Sequence, residues 1–287
     1  MVQCKYCLEE RDKLEVSHII PKLVYRWIKK TATTGRMRDG RNMNKPAQDG
    51  LKQEMLCRTC EGGFSEYETY FANQVFHKLI ENDGFVNYSD INWDKFNKFI
   101  LSLLWRTVYF CANEKSINKD YYPEEIKRFN EKANLLKNAF DHENDIPVNV
   151  YFIPLCSSSV ENGFFELEDY VYFERSVSLN LIINDADKKA ATLYIKLPYV
   201  MIVCEIENCE HHLWKGLKLN DRERFGLSGV VIPQHVKEYM SWDCQRCYDL
   251  ARDIPSNQVE KLKKIMNDKG SPEQGTIKAM MKNSFRE

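Results

Sequence analysis

The sequence predicts an α+β fold from three observations: two C-x-x-C pairs near the N-terminus, apolar residues at helical spacing in the middle, and β-branched and aromatic runs in the second half. The paired cysteines predict a small metal-stapled module over residues 1–82, and residues 83–287 are expected to form an α+β body. Within that body we expect helices over 92–140, a mostly antiparallel sheet over 147–233 and further helices over 234–285.

The bulk composition is that of an ordinary globular protein. The 287 residues are 43% hydrophobic and 29% charged, and a chain of this length can bury a sizeable core. No apolar run approaches the roughly 20 residues of a membrane span, and the N-terminus lacks the apolar segment of a signal peptide. We therefore expect a cytoplasmic protein with no membrane partner, whose ten cysteines serve as thiols or metal ligands rather than disulfides.

The first candidate site comprises Cys4, Cys7, Cys57 and Cys60. Each C-x-x-C pair can direct two thiolates to one ion, and two pairs complete the tetrahedral shell of a structural Zn²⁺ site. Buried free thiols are the alternative, but two pairs flanking one small segment favour the metal. Helical spacing from Cys60 onward places the second pair at a helix N-terminus, where backbone N–H groups favour thiolates. This placement is typical of the treble-clef zinc fold.

The segment between the two pairs contains the motif Glu15-Val-Ser-His-Ile-Ile-Pro21. The order C-x-x-C, His-Ile-Ile-Pro, Leu-Cys-x-x-Cys resembles the zinc-bearing branch of the HNH endonucleases, which have a ββα-metal (treble-clef) active site. The resemblance covers residues 4–72, about a quarter of the chain. It implies hydrolysis of phosphodiester bonds in DNA or RNA, with His18 as general base and a catalytic Mg²⁺ or Mn²⁺ ion. Proteins with such modules often belong to bacterial restriction or phage-defence systems.

Three positions depart from the pattern of that family. The acidic residue or histidine that usually precedes the general base is Ser17 here, the middle asparagine falls at Lys52, and the last histidine or asparagine falls at Glu61. The Glu61 carboxylate could bind Mg²⁺ or Mn²⁺, so His18 and Glu61 are the candidate catalytic residues. Other groups that could complete the metal shell are Asn44, Asp49 and His77.

Both catalytic candidates also have a structural interpretation. His18 could be a histidine that packs beside the zinc site, although neutral imidazole can take a proton from water near physiological pH. Glu61 would be favourable in the first turn of a helix because of the helix dipole alone. The sequence leaves both alternatives open.

Positive charge is concentrated in the segment 22–52. Nine basic and two acidic residues give it a net charge of +7, and because the whole chain carries −1, the remainder carries −8. A basic insert on an otherwise acidic chain predicts a phosphate-binding patch and a nucleic-acid partner, with DNA favoured. A solvated lysine-rich loop is the alternative. The predicted nucleic-acid-binding residues are Arg36, Arg38, Arg41 and Lys45.

A second cysteine group lies near the C-terminus. Cys209, with His211 or His212, and the pair Cys244 and Cys247 could close a second zinc site. At helical spacing, however, two cysteines three residues apart often only share a packed face.

Two other functions compete with an endonuclease. One is a non-catalytic zinc finger that binds nucleic acid through the basic insert. The other is a protein-interaction zinc module attached to a β-rich effector body. Residues 83–287 predict a fold class without a function, and they could bind a protein partner or form a homo-oligomer.

Overall fold

The structure is a computed structural model in which most of the chain is described. It combines helices with small antiparallel sheets, as predicted, in the order of a β-rich N-terminal part, a helical middle, a four-stranded sheet and C-terminal helices. The described residues are 1–32, 35–82, 86–119, 121–143, 145–155, 170, 173–183, 190–207, 213–219, 221 and 230–269.

The N-terminal part contains two short antiparallel pairs followed by a helix. Strand β1 pairs with β2, and the first cysteine pair lies in the turn between them. Strand β3 pairs with β6, and helix α2 begins directly after β6. The bounds are β1 Val2–Gln3, β2 Glu10–Arg11, β3 Glu15–His18, β6 Lys52–Leu56 and α2 Arg58–Phe71.

The insert between β3 and β6 forms one helix and one hairpin. Helix α1 (Lys22–Thr31) buries Val24, Tyr25 and Trp27, which are spaced to share a face, while its charged residues lie on the other side. The hairpin consists of β4 (Met37–Asp39) and β5 (Asn42–Ala47). Most of the basic insert therefore has regular structure.

The helical middle is organised around one buried helix. Helix α2 continues through the π-helical turn Ala72–Phe76 into a short helix α3. Helix α4 is apolar on almost every side, so it is buried between α2 and α6. The bounds are α3 His77–Glu81, α4 Trp93–Asn113, α5 Lys115–Asn118 and α6 Pro123–Asn138.

The four-stranded sheet is antiparallel throughout, as predicted for this region. Its strand order is β7-β10-β9-β8, so β7, the first of these four strands in the chain, lies at one edge. The apolar run from Ala191 is divided into two strands by a tight turn at Tyr199, whose φ is 62°. The bounds are β7 Asn149–Pro154, β8 Ser178–Ile183, β9 Ala191–Leu197 and β10 Val200–Glu207.

Within the described residues, the sheet covers less than the predicted range 147–233, of which the segments 156–169 and 222–229 are not described. Tyr170 and residues 173–174 are helical, and Val231 makes only an isolated bridge to Lys215. Apolar β-formers in these segments pack on the sheet without joining its ladder. Alternating and continuous apolar runs indicate burial, and burial here does not require strand pairing.

The chain continues after the sheet in two helices. They are α7 (Gln234–Arg252) and α8 (Ser256–Lys269), in agreement with the helices predicted from residue 234. The helix expected over Pro272–Phe285 lies outside the described residues. Among the helices that are described, none has both the length and the apolar character needed to cross a bilayer.

One continuous hydrophobic core connects the N-terminal part with the helical middle and the sheet. Tyr6 packs edge-to-face on Trp105 of α4, with ring centroids 4.9 Å apart, and Phe64 of α2 contacts the same indole. Phe71 stacks on Phe99 at 3.9 Å. Residues on both sides of the predicted boundary at residue 82 thus share this core, and the cysteine-bearing segment buries its apolar side against α4.

Gly50, at the end of the insert, is a position where we expect an added methyl group to destabilise the protein. A Cβ there would lie 1.8 Å from the ring of Tyr25, which is itself buried. Gly50→Ala should therefore lower the free energy of unfolding by about 1–3 kcal/mol, measured by denaturant titration. The matched control is Gly63→Ala on α2, where no atom lies within 4 Å of the new Cβ. The control should stabilise the helix by about 0.5–1 kcal/mol, and equal effects of the two changes would contradict the packing explanation.

Candidate functional site

The four N-terminal cysteines converge on one point. Their four sulfur atoms all lie within 4.8 Å of one another, and the residues are Cys4, Cys7, Cys57 and Cys60. The Cys7 and Cys57 sulfurs are 3.9 Å apart, and a tetrahedral Zn²⁺ ion with Zn–S bonds of about 2.3 Å requires sulfurs roughly 3.8 Å apart. All four are free thiols. The predicted cysteine cluster is confirmed, and its geometry could hold a structural metal ion such as zinc.

Local structure prepares these thiols for a metal. Cys57 is the N-cap of α2, and its backbone N–H donates to the Cys4 sulfur at 3.2 Å. Burial raises the pKa of the Cys57 thiol, but hydrogen bonds from Cys60 and Arg11 outweigh this and lower the pKa to about 6. Burial and the neighbouring sulfurs raise the pKa of Cys60. The four thiols therefore differ in acidity, because each sulfur feels the charge and the hydrogen bonds of its neighbours.

His18 at the end of β3 is held by an acidic partner. Its Nε2 lies 2.8 Å from Asp49 Oδ1, and this oxygen also accepts the Gly50 N–H at 3.0 Å. Burial raises the pKa of Asp49, but the hydrogen bond from His18 and the contacts with Gly50 and Lys52 outweigh it and lower the pKa to about 2. Asp49 is therefore ionised at neutral pH. An ionised carboxylate only accepts hydrogen bonds, so Nε2 carries the proton and Nδ1 is the basic nitrogen.

Two of the positions that depart from the HNH pattern take part in this arrangement. Ser17 is fully buried, and its hydroxyl donates to Glu61 Oε2 at 2.6 Å. Lys52 lies opposite His18 in the β3–β6 pair, and its Nζ is 3.4 Å from Asp49 Oδ2. Ser17 therefore orients Glu61, while Lys52 supports the carboxylate that orients His18.

Arg106 brings helix α4 into the site. Its Nη1 lies 2.6 Å from Glu68 Oε1 on α2 and donates to the His18 carbonyl oxygen at 3.0 Å. The side chain is 1% exposed and also contacts the ring of Phe64. A buried guanidinium is costly without partners, so these contacts fix the ends of β3 and α2 relative to α4.

His18, Glu61, Glu68 and Arg106 line a common cleft of about 750 Å³. His18 and Glu61, the two predicted catalytic residues, both lie on its wall. The cleft combines four cations with three carboxylates, a mixture suited to phosphate and divalent metal ions. Its lining residues are Glu15, His18, Lys22, Leu23, Arg26, Arg58, Glu61, Gly62, Ser65, Glu68, Thr69, Ala72 and Arg106.

In the described part of the chain, no third His, Cys, Asp or Glu joins His18 and Glu61 in a set close enough to share an ion. Within the described part of the chain, the four cysteines are the one set of three or more such groups close enough to share an ion. A divalent ion beside His18 and Glu61 would complete its shell with water and phosphate oxygens, as Mg²⁺ commonly does. His77, one of the predicted additional ligands, is exposed on α3 and does not line the cleft.

The predicted nucleic-acid-binding residues of the insert lie outside the cleft. Arg38, Arg41 and Lys45 belong to the β4–β5 hairpin, and Arg36 precedes it. Arg41 forms an ion pair with Asp39 at 2.6 Å, and Arg38 donates to the Met43 carbonyl. Their contact with nucleic acid stays a prediction. Asn44, another predicted ligand, is in the same hairpin.

Sequence reasoning missed several residues of the cleft. Asp49 was considered as a metal ligand, whereas it contacts His18. The burial of Arg106 could have been predicted from the sequence, because it is the lone charged residue in the apolar stretch 99–112. Charged residues are rarely buried without a specific partner. Lys22, Arg26 and Arg58 gave no local signal that they share a cleft.

The second proposed cysteine group is only partly described. Cys244 and Cys247 lie on α7, where Cys244 is buried in the core between the helix and the sheet. Cys209, His211 and His212 lie outside the described residues. The packed-face interpretation accounts for Cys244.

Comparisons with known proteins leave the chain unassigned. It matches no protein-family model, and no curated protein or solved structure matches it. The class of protein therefore follows from the fold and the site alone. It is a mixed α and β chain with an N-terminal four-cysteine cluster that could hold a structural metal. A charged cleft that contains His18 and Glu61 lies beside this cluster.

The contacts of Asp49 predict a pH-dependent contribution to stability. Its pKa is lowered from 3.8 to about 2, so the contribution is present above pH 4 and is lost as the pH falls towards 2. At 27% exposure of its side chain, we expect about 1–2 kcal/mol. Asp49→Asn should be less stable than the wild type by this amount at pH 7, and the difference should shrink below pH 4. A difference that is constant with pH would contradict this assignment.

Proposed function

We propose that the protein is a metal-dependent, HNH-like endonuclease that hydrolyses phosphodiester bonds, with a zinc-stapled treble-clef module as its catalytic part. The observation that carries the proposal is the His18–Asp49 pair, 2.8 Å apart, with His18 on the wall of a cleft that also contains Glu61 and basic residues. A histidine oriented by a carboxylate is a recurrent arrangement for general-base catalysis. The basic side chains suit a phosphate substrate.

The order of elements supports the treble-clef assignment. The first cysteine pair lies in the β1–β2 turn, the β3–β6 pair follows, and α2 begins at the second pair. Zn²⁺ is the ion proposed for the four cysteines because thiolate ligands in tetrahedral geometry favour it. Bound there, the ion would fix the start of α2 and thus the position of Glu61, four residues after Cys57.

The proposed reaction uses His18 as general base. Its Nδ1 takes a proton from a water molecule, and the water oxygen attacks phosphorus as the bond to the departing oxygen breaks. Asp49 keeps the other ring nitrogen protonated and stabilises the imidazolium that forms. Mg²⁺ or Mn²⁺, held through the Glu61 carboxylate, would supply positive charge to the phosphate and the departing oxygen. Ser17 orients the Glu61 carboxylate through its hydrogen bond to Oε2.

The test is a cleavage assay on the purified full-length chain. Supercoiled plasmid and single-stranded RNA are incubated with added Mg²⁺ or Mn²⁺, without a chelator so that structural zinc is retained. We expect cutting that depends on the added ion and is lost in His18→Ala. The absence of cutting with either substrate and either ion, in protein with its full zinc content, would refute the endonuclease.

One observation favours a second function. In the described residues, His18 and Glu61 lack a third protein ligand for a catalytic ion. This supports a non-catalytic zinc module that binds nucleic acid through its basic side chains, with His18 retained for structure. Nucleic-acid binding without cutting, and unchanged in His18→Ala, is the result expected for this alternative.

A further inference from the structure

We propose that Lys22, Arg26, Arg58 and Arg106 form a phosphate-binding site beside His18, and that it takes a backbone phosphate of a nucleic acid. All four residues line the cleft that contains His18. These four side chains would hold the substrate, and the identity of the ligand bound by them rests on the proposed function.

Two of the cations come from one face of α1. Lys22 and Arg26 are four residues apart on the helix, so they project from neighbouring positions on the same side. Arg58, also on the cleft wall, is the first residue of α2. All three side chains are exposed, and none of them forms an ion pair within the described residues. They are free to neutralise a ligand.

Arg106 provides an independent indication of a ligand. It is 1% exposed, and its Nη2 has no hydrogen-bond partner in the part of the chain that the structure describes. An unsatisfied buried donor costs about 1–3 kcal/mol, and more when it is charged. Proteins retain such groups where function requires them, and a phosphate oxygen is a suitable acceptor for a guanidinium.

The carboxylates of the cleft do not cancel this charge. Glu68 is paired with Arg106, and Glu61 accepts a hydrogen bond from Ser17. A hydrogen bond from a hydroxyl leaves the Glu61 carboxylate charged, so two carboxylates, Glu15 and Glu61, remain beside the three cations that form no ion pair in the described residues, and the cleft keeps an excess of positive charge. A cleft of this kind attracts anions.

The β4–β5 hairpin neutralises part of its own charge and lies outside the cleft that contains His18. Arg41 is paired with Asp39, and Arg38 is bonded to a backbone carbonyl of its own hairpin. The high positive charge of segment 22–52 is thus divided between α1, which lines the cleft, and a hairpin that neutralises part of its own charge. We infer that phosphate contacts begin at the cleft.

The experiment compares two double variants of the full chain, both in a His18→Ala background that prevents cutting. Arg26→Gln with Arg58→Gln removes two charges from the cleft, and Arg36→Gln with Arg41→Gln removes the same number outside it. Fluorescence anisotropy with a short labelled DNA duplex gives the affinity over a range of NaCl concentrations. Arg106 is left intact because its loss would also disturb the fold.

The expected result is a loss of about tenfold or more in affinity for the cleft variant and a smaller loss for the hairpin variant. The plot of the logarithm of the association constant against the logarithm of the NaCl concentration has a negative slope. In the cleft variant this slope should be less steep by about 2, one for each lost phosphate contact. The proposal would be overturned if the cleft variant lost no more affinity than the hairpin variant. It would also be overturned if the His18→Ala parent did not bind the duplex.

The same measurements separate this proposal from the proposed function. If the wild type cuts no nucleic acid but the cleft variant loses affinity, the phosphate site stands and the endonuclease fails. If the wild type cuts nucleic acid and the cleft variant binds as well as the hairpin variant, the endonuclease stands and the phosphate site is wrong.

Discussion

Cys57→Ser is expected to abolish binding of the proposed zinc ion and to unfold the N-terminal part of the chain. The strands β1 and β2 have two residues each, too short to be stable alone. Structural Zn²⁺ sites contribute about 10–16 kcal/mol in isolated fingers, comparable to the whole stability of a domain. Loss of one thiolate should therefore remove most of the order around the cluster. Zinc content by mass spectrometry and amide hydrogen exchange of residues 1–82 are the measurements.

The matched control is Cys247→Ser on α7, outside the N-terminal cluster. It should retain one zinc ion per chain, and it also tests the second zinc site suggested by the sequence. Loss of metal in the control would show that α7 contributes to a site. Full zinc content in Cys57→Ser would refute the four-cysteine centre.

His18→Ala is expected to lower the cleavage rate by about 10²–10⁴-fold, the usual contribution of a general base. The residue lies on β3, whose backbone is held by its pairing with β6 and by Arg106. The zinc content and the helical content should therefore remain those of the wild type. Initial rates of plasmid nicking under saturating Mg²⁺ or Mn²⁺ measure the effect.

His77→Ala is the matched control for this variant. His77 is exposed on α3 and does not line the cleft, so its loss should leave the rate unchanged. Asp49→Asn should also lower the rate strongly, because the imidazole loses the charge that stabilises its protonated form and an amide N–H can hold the ring in the wrong tautomer. Equal rates for the wild type and His18→Ala would remove His18 from the mechanism.

The predictable parts of the fold and site are those encoded by short-range patterns. The C-x-x-C pairs identified the cysteine cluster because two thiolates three residues apart can reach one ion. Pro123 and the apolar spacing after it located α6, and the apolar run around Phe99 located α4. Local spacing did not reveal the turn at Tyr199, because a continuous apolar run has the same residue pattern whether it forms one strand or a hairpin of two.

The site itself depends on residues far apart in the chain. His18 meets Asp49, 31 residues away, and its carbonyl oxygen accepts from Arg106, 88 residues away. Such contacts depend on strand register and helix packing, which no local pattern specifies. The departures at Ser17 and Lys52 looked like losses from a known motif, whereas the structure shows them bonded to Glu61 and Asp49.

The sequence by itself therefore determined the mixed fold, the cysteine cluster and the concentration of positive charge, because each depends on composition or on spacing over a few residues. Only the tertiary structure decided which charges are free. It pairs Arg41 with Asp39 in the hairpin and leaves Lys22 and Arg26 on the cleft wall. The physical reason is that a charge acts through its distance to partners and its exposure to water, and both are properties of the folded chain.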